Sequence, residues 1–450
     1  MRLIWKFLFL LALLPANSQA QIITTIAGTG VRGYSGDGAA ATAGCLFAPR
    51  DVIIDKHGNI IFSEINNDVI RKIDTAGIIS TIAGIGPSSG AGGFSGDSGL
   101  AIYAEIHNPI GLAIDKNGNI YFADHANGRI RKIDTFGIIT TIAGTGPFGY
   151  NGDGIAATSA QLNGAGGVAV DTTGNVYIAD WCNHRLRKIS LTGIITTIAG
   201  TGIPGYGGDG GAATMAKINP AGIAIDKYEN IYFSDTSNWI RKIDIAGIIT
   251  TIAGNGSAIY SGDGGLATVA GVPGLEGLAI DDTGNIYLTD WENSAIRKIN
   301  PAGIINKIAG NGISGYAGDG SNALFASFLF CTGIAVNNTG KIYIADQGNN
   351  RIRCIGCGNT TGIAVGTNDI GHNLRVIPNP IIGNTVTVRI SEALHQSVHL
   401  TIYNMLGTPQ IKIEEYTNKD IQVALNLPAG IYTMQAITAN GSYVQKLIVQ

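Results

Sequence analysis

Two series of carboxylates recur along the chain at nearly constant spacing. The first follows glycine at Asp37, Asp97, Asp153, Asp209, Asp263 and Asp319; the second is Asp124, Asp180, Asp235, Asp290 and Asp346, with Glu64 at the matching place in the first copy. Such repetition could serve a calcium or phosphate site. Each Gly-Asp loop, however, holds a single carboxylate and lacks the spaced acidic ligands that a hard cation takes. The residues that follow, such as Gly154-Ile155-Ala156-Ala157-Thr158, form short helices, so the aspartate is expected to N-cap one. The aromatic ahead of each, at Tyr34, Phe94, Tyr150, Tyr206, Tyr260 and Tyr316, is expected to anchor the loop. The second series closes an apolar run just before a turn, where a carboxylate accepts turn amides or pairs with an arginine such as Arg131 or Arg187. Both series therefore read as structural.

Function is expected where the copies differ. The residue after each member of the second series is Ile65, His125, Trp181, Thr236, Trp291 and Gln347 in turn. An indole is an expensive side chain to place in an exposed turn, so Trp181 and Trp291 are the leading anchors of a recognition surface, with His125, His184, Trp239 and Glu292 beside them. The competing reading packs those indoles against the neighbouring loop. Catalysis has less support. Of the 7 histidines, His125 and His184 fall in adjacent copies, yet no third metal ligand can be named, and no nucleophile elbow, phosphate loop or Cys-His pair is present. No catalytic residue, metal ligand or cofactor is assigned; an enzyme reading would rest on His125 and Asp180.

The elements that position these residues follow from a repeat. Ile-Ala-Gly recurs with its glycine at 28, 84, 144, 200, 254 and 310, spacings of 54 to 60 residues. Each unit runs from an Ile-Ala-Gly strand through a Gly-rich loop and an Ala-rich stretch to three further apolar strands. Four short strands in roughly 55 residues indicate a β-propeller blade rather than a helical solenoid. Gly58-Asn59, Gly118-Asn119, Gly174-Asn175 and Gly284-Asn285 sit between apolar runs, as tight hairpins require. The first strand, as in Gly111-Leu112-Ala113-Ile114-Asp115, alternates small with branched residues, fitting the crowded wall of a central channel. The loops into first strands and the turns after second strands then share one rim. The first Ile-Ala-Gly strand precedes the first three-strand group and none follows the last, so residues 22 to 27 are expected to close the ring as the outer strand of the blade formed by 332 to 355.

The pattern Pro-x-Gly-Leu/Ile-Ala-Ile-Asp, Gly-Asn-Ile-Tyr-x-x-Asp and Asn-x-Arg-Ile-Arg-Lys-Ile resembles the NHL repeat, with Asn183-His184-Arg185-Leu186 close to the eponymous tripeptide. The resemblance covers residues 22 to about 357. The longer loops resemble those of NHL propellers in bacterial surface proteins and teneurin ectodomains. The resemblance implies a six-bladed propeller. Some six-bladed relatives, such as amidating lyases and lactonases, hold a metal with channel-facing histidines or carboxylates, which keeps a secreted enzyme as the alternative to a non-catalytic module binding a protein or glycan.

Composition agrees. The 450 residues are 45% apolar and 14% charged with 65 glycines, which excludes a disordered chain. With 29 Lys+Arg against 32 Asp+Glu there is no basic excess for nucleic acid. Residues 1–20 read as a signal peptide: a charged start, the apolar run Phe7 to Leu14, and Ser18-Gln19-Ala20. No later segment is long and apolar enough to span a bilayer, so the mature chain has no expected transmembrane segment. Of the 5 cysteines, Cys45 and Cys182 stand apart, and a disulfide is expected among Cys331, Cys354 and Cys357. The propeller takes residues 21–357 and a Gly- and Thr-rich linker 358–373. Residues 374–450 form alternating strands fitting a small Ig-like β-sandwich. The landmarks Ile377-Pro378-Asn379-Pro380, Ile402-Tyr403-Asn404-Met405-Leu406-Gly407, Leu427-Pro428-Ala429-Gly430-Ile431-Tyr432 and Lys446-Leu447-Ile448-Val449 closely resemble the C-terminal sorting domain of type IX secretion cargo. That resemblance implies handling by the type IX machinery and delivery to the outer-membrane surface or the medium.

Overall fold

The aspartate that ends most first strands folds the next turn onto itself. Asp115 accepts the N–H of Asn117 and Asn119 at 2.9 Å each and the Asn119 side-chain amide at 2.7 Å, while Gly118 takes the φ of +96° that a side chain would resist. Asp55, Asp171, Asp226 and Asp281 repeat the arrangement. The computed structural model describes residues 21–89, 92–357, 373–377, 385–391, 397–404, 408–416, 420–438 and 441–449. The expected signal peptide and all but the last residue of the expected linker lie outside the described residues.

Six antiparallel sheets of four main strands build the propeller. The innermost strands are Pro49–Ile54, Pro109–Ile114, Ala165–Val170, Pro220–Ile225, Leu275–Ile280 and Cys331–Val336. The sixth sheet closes across the termini: the outer strand Ile23–Ala27 pairs antiparallel with Arg351–Ile355, Ile23 opposite Ile355 and Thr24 opposite Cys354. This pairing removes the open edge that the sixth sheet would otherwise expose. Cys354 and Cys357 form a disulfide beside it, and Cys331 is a buried free thiol.

Adjacent blades meet through apolar residues of successive sheets. Tyr121 and Ala123 of the second blade, for example, pack in one cluster with Val168 and Ile178 of the third. At the channel the first strands approach so closely that a Cβ on Gly277 would lie 2.1 Å from the Thr332 carbonyl oxygen, so only glycine fits.

The Gly-Asp aspartates do not cap helices, contrary to the expectation above. The Ala-rich stretches are three-residue 3-10 turns whose N-cap positions are Ala40, Leu100, Ala156, Ala212, Leu266 and Asn322. Each aspartate instead meets a fully buried arginine of its own blade: Arg71–Asp37 at 2.6 Å, Arg131–Asp97 at 2.9 Å, Arg187–Asp153 at 3.0 Å, Arg241–Asp209 at 2.5 Å, Arg297–Asp263 at 2.8 Å and Arg353–Asp319 at 2.7 Å. The loop aromatics lie over these guanidinium groups, as Tyr150 does under Arg187 at 4.9 Å. A buried cation needs paired charge, so the loop is drawn down onto the blade.

In the C-terminal residues, one sheet runs Asn373–Ile377, Thr385–Ser391, Asp420–Ala424 and a second Pro409–Tyr416, Ser397–Tyr403, Gly430–Thr438, Gly441–Val449. Val386, Val388 and Val423 of the first share one buried cluster with Leu400, Met434 and Leu447 of the second. Among the described residues no helix is long and apolar enough to cross a membrane.

Candidate functional site

The second carboxylate series sets the channel mouth. Asp124 accepts the N–H of His107 and the side-chain amide of Asn127 at 2.8 Å each, with Arg131 at 3.5 Å; Asp180 does the same with Asn163 and Asn183, with Arg187 at 3.4 Å. Asp124 and Asp180 thereby tie the entering loop to the turn after the second strand. Burial pushes Asp124, Asp290 and Asp346 up to about 6 and Glu64 up to about 7, with the arginine beside each pulling the other way. Asp180 and Asp235 are raised by the same cause. None of these carboxylates lines either of the two cavities at this end of the propeller.

The next residue of each blade is thereby placed at the mouth. Ile65, His125, Trp181, Thr236, Trp291 and Glu292 line the upper part of a channel cavity of about 860 Å³. Gln347, the sixth equivalent, lines an adjoining cleft of about 530 Å³ where blades five, six and one meet. His125 Nδ1 donates to the Ala165 carbonyl of the next blade at 2.9 Å, which fixes the orientation of the ring. Trp181 is 45% exposed, and Trp291 lies 5.8 Å from the Phe330 ring.

Two residues expected at this surface line neither cavity. Trp239 stacks on Tyr206 with centroids 4.1 Å apart, the place filled in other blades by Arg129 on Phe94, Arg185 on Tyr150 and Arg351 on Tyr316. His184 is the left-handed residue that ends the turn Trp181–Asn183 and lines neither cavity.

Sequence reasoning missed the channel wall. At the second position of the first strands stand Arg50, Ile110, Gly166, Ala221, Glu276 and Thr332, and at the third Asp51 replaces the glycine of the other five. Arg50 and Glu276 form an ion pair past the sixth blade, and Arg50 also donates to Gln347 at 3.3 Å. Asp51 accepts the N–H of Val52 at 2.8 Å and of Leu112 at 2.6 Å; desolvation among packed backbone pushes it up to about 6 against those bonds and Arg50. A column-by-column comparison of the first strands carries this signal. Below this polar wall the channel is aliphatic, with Ile54, Ile114, Val170, Ile225, Ile280 and Val336. Among the described residues no group of three or more His, Cys, Asp or Glu is placed to hold a metal.

Comparison with known proteins agrees with this geometry. Residues 90–149 and 204–261 match the Teneurin NHL domain, 162–189 and 328–355 the NHL repeat, and 375–450 the secretion system C-terminal sorting domain. The chain therefore carries NHL-repeat domains in a β-propeller and ends in a C-terminal sorting domain that directs export to the cell surface or the medium. It is 29% identical over 256 residues to Teneurin-1 of Gallus gallus, covering 50% of this chain and 9% of that one, so it spans under a tenth of the teneurin's length. Among solved structures it resembles a protein of unknown function from Bacteroides thetaiotaomicron, TM-score 0.55 at 19% identity over 75% of this chain and 76% of the other. An auxiliary nutrient binding protein from the same organism gives a TM-score of 0.53 at 17% identity, over 75% and 76%. At these identities the likeness is one of fold.

Proposed function

We propose that residues 21–357 are a non-catalytic recognition or adhesion module, binding a glycan or protein through the loop-bearing rim, and that residues 374–450 serve only as the secretion address. One observation carries the reading: what repeats in every blade is consumed in internal pairing, whereas the six equivalent mouth positions differ and present two indoles, Trp181 and Trp291, to a concave site. The likeness in fold to an auxiliary nutrient binding protein is compatible with such a role. The enzyme reading draws on His125, whose oriented imidazole suits acid–base work; Asp180, locked under Arg187, offers it nothing.

The test is a glycan-array and surface-protein screen of the secreted chain, with elemental analysis of the same sample. Saturable binding that is lost in Trp181→Ala or Trp291→Ala supports the module. Turnover abolished by His125→Ala, or a stoichiometric transition metal, overturns it for the enzyme.

A further inference from the structure

The cleft between blades five, six and one has a lining unlike the rest of the rim. Phe47, Trp291 and Phe330 supply three aromatic rings, Gln347 and Asn66 supply amides, and Arg32 lies with its guanidinium 5.9 Å from the Phe47 ring centroid.

Phe330 is the anomaly. The residue before the first strand takes left-handed backbone in most blades, with φ of 54° at Ala48, 55° at Asn108, 68° at Gly164 and 57° at Gly274. Glycine and asparagine adopt this conformation with little strain, and alanine is at least small. The sixth blade holds a phenylalanine there at φ 52° and leaves it 49% exposed. A bulky ring in that conformation is strained, and half of its surface gains nothing from packing. Such an outlier points outward, to a ligand face.

Charge narrows the ligand. Arg50 and Glu276 neutralise one another in the cleft, whereas Arg32 is exposed and, among the described residues, has neither an ion pair nor a side-chain hydrogen bond. Among the described residues the cleft thus carries one uncompensated cation beside aromatic faces and amides. Aromatic faces pack on the apolar C–H faces of pyranose rings, amides bond hydroxyls, and a guanidinium takes one carboxylate. Its volume of about 530 Å³ falls within the ordinary range for small-ligand sites.

We infer that this cleft binds a carboxylate-bearing sugar, a uronic acid unit of an extracellular polysaccharide, with its ring against Trp291 and Phe330 and its carboxylate on Arg32. The inference rests on the recognition reading above and names the ligand class.

The test is calorimetric titration of the full secreted chain with tetragalacturonate, tetraglucuronate and tetramannuronate, each beside its neutral carboxyl-reduced form, with Tm recorded for every variant. At least one acidic tetramer is expected to bind ten-fold or more tightly than its reduced form. Arg32→Gln should erase that difference without lowering Tm. Phe330→Asn should weaken acidic and reduced sugars alike by ten-fold or more while raising Tm, because asparagine relieves the strain. Equal binding of acidic and reduced forms, no binding of any of the three, or a Tm lowered by Phe330→Asn each overturns the uronate site. Binding of a neutral glycan or a protein that Trp181→Ala abolishes and Arg32→Gln leaves intact sinks the uronate site while the recognition reading stands; turnover without retained ligand sinks both.

Discussion

The carboxylate of Asp51 accepts the backbone N–H of Leu112 at 2.6 Å, joining the first and second blades at a seam where five other first strands offer glycine. Elsewhere those glycines let neighbouring strands touch directly; here a side chain bridges the seam. Asp51→Ala should leave the Leu112 amide without its partner and destabilise the propeller by about 1–3 kcal/mol. Urea unfolding followed by tryptophan fluorescence measures this, and an unchanged midpoint would show that the bond is replaced by solvent in the channel.

Each of the six buried arginines pairs with a loop aspartate, and Arg71, Arg131, Arg187 and Arg353 also meet the strand-end carboxylate of their blade at 3.3 to 3.5 Å. For Arg187 these partners are Asp153, 37% exposed, and Asp180, fully buried. Arg187→Ala strands a buried carboxylate and should cost about 3–5 kcal/mol. Asp153→Ala removes only the solvent-screened partner and should cost no more than about 1 kcal/mol. Equal losses in the two variants would contradict this division of roles.

That pair also shows what was legible before the structure. The blades were readable because Ile-Ala-Gly and Gly-Asn mark local events, strand ends and two-residue turns, which neighbouring residues decide. The offset of outer strands told how the ring closes. Asp153 was misread as an N-cap because its real partner, Arg187, lies 34 residues on, beyond the reach of local signals. The partner of Trp239 was hidden for the same reason: only the third dimension brings Tyr206 beneath it. Arg50, Asp51 and Phe330 escaped notice because their signal is a departure from the repeat, visible only when like positions are compared across blades.

Stability should depend on pH in a direction opposite to that of proteins whose carboxylates are all stabilised by ionising. Glu64 at about 7 and Asp51, Asp124, Asp290 and Asp346 at about 6 are raised by burial above the usual 3.8 to 4.5. A raised folded-state pKa means that the fold favours the protonated form, so this contribution is complete below about 4 and is lost as pH rises through 6 to 7. Asp171 and Asp281, held down at about 2 by turn hydrogen bonds that outweigh their desolvation, act the other way and lose their contribution as pH falls from about 4 through 2. Tm measured from pH 3 to 9 should therefore peak near pH 4 and decline from there to about pH 7. A Tm that climbs steadily from pH 5 to 8 would rule this out.

Removing residues 21–28 should open the sixth blade. Ile23 and Ala27 are fully buried, and without them the strand Arg351–Ile355 presents an unpaired edge. Loss of the Ile23 side chain alone is worth about 1.5–3 kcal/mol of burial. Hydrogen exchange should show protection lost first at residues 351–355. Unchanged Tm and protection would refute closure by the N-terminal strand.

Deletion of residues 374–450 should change delivery and leave binding intact. The motivation is that the described C-terminal sheets have a buried cluster of their own, Val386 to Val449, while the matched sorting domain covers 375–450. Expressed in its native host, the shortened chain is expected to accumulate in the periplasm, as fractionation and blotting would record. The same shortened chain, purified, should retain the ligand affinity of the full one. Surface delivery without the tail, or affinity reduced ten-fold by its removal, would show that these residues are more than an address.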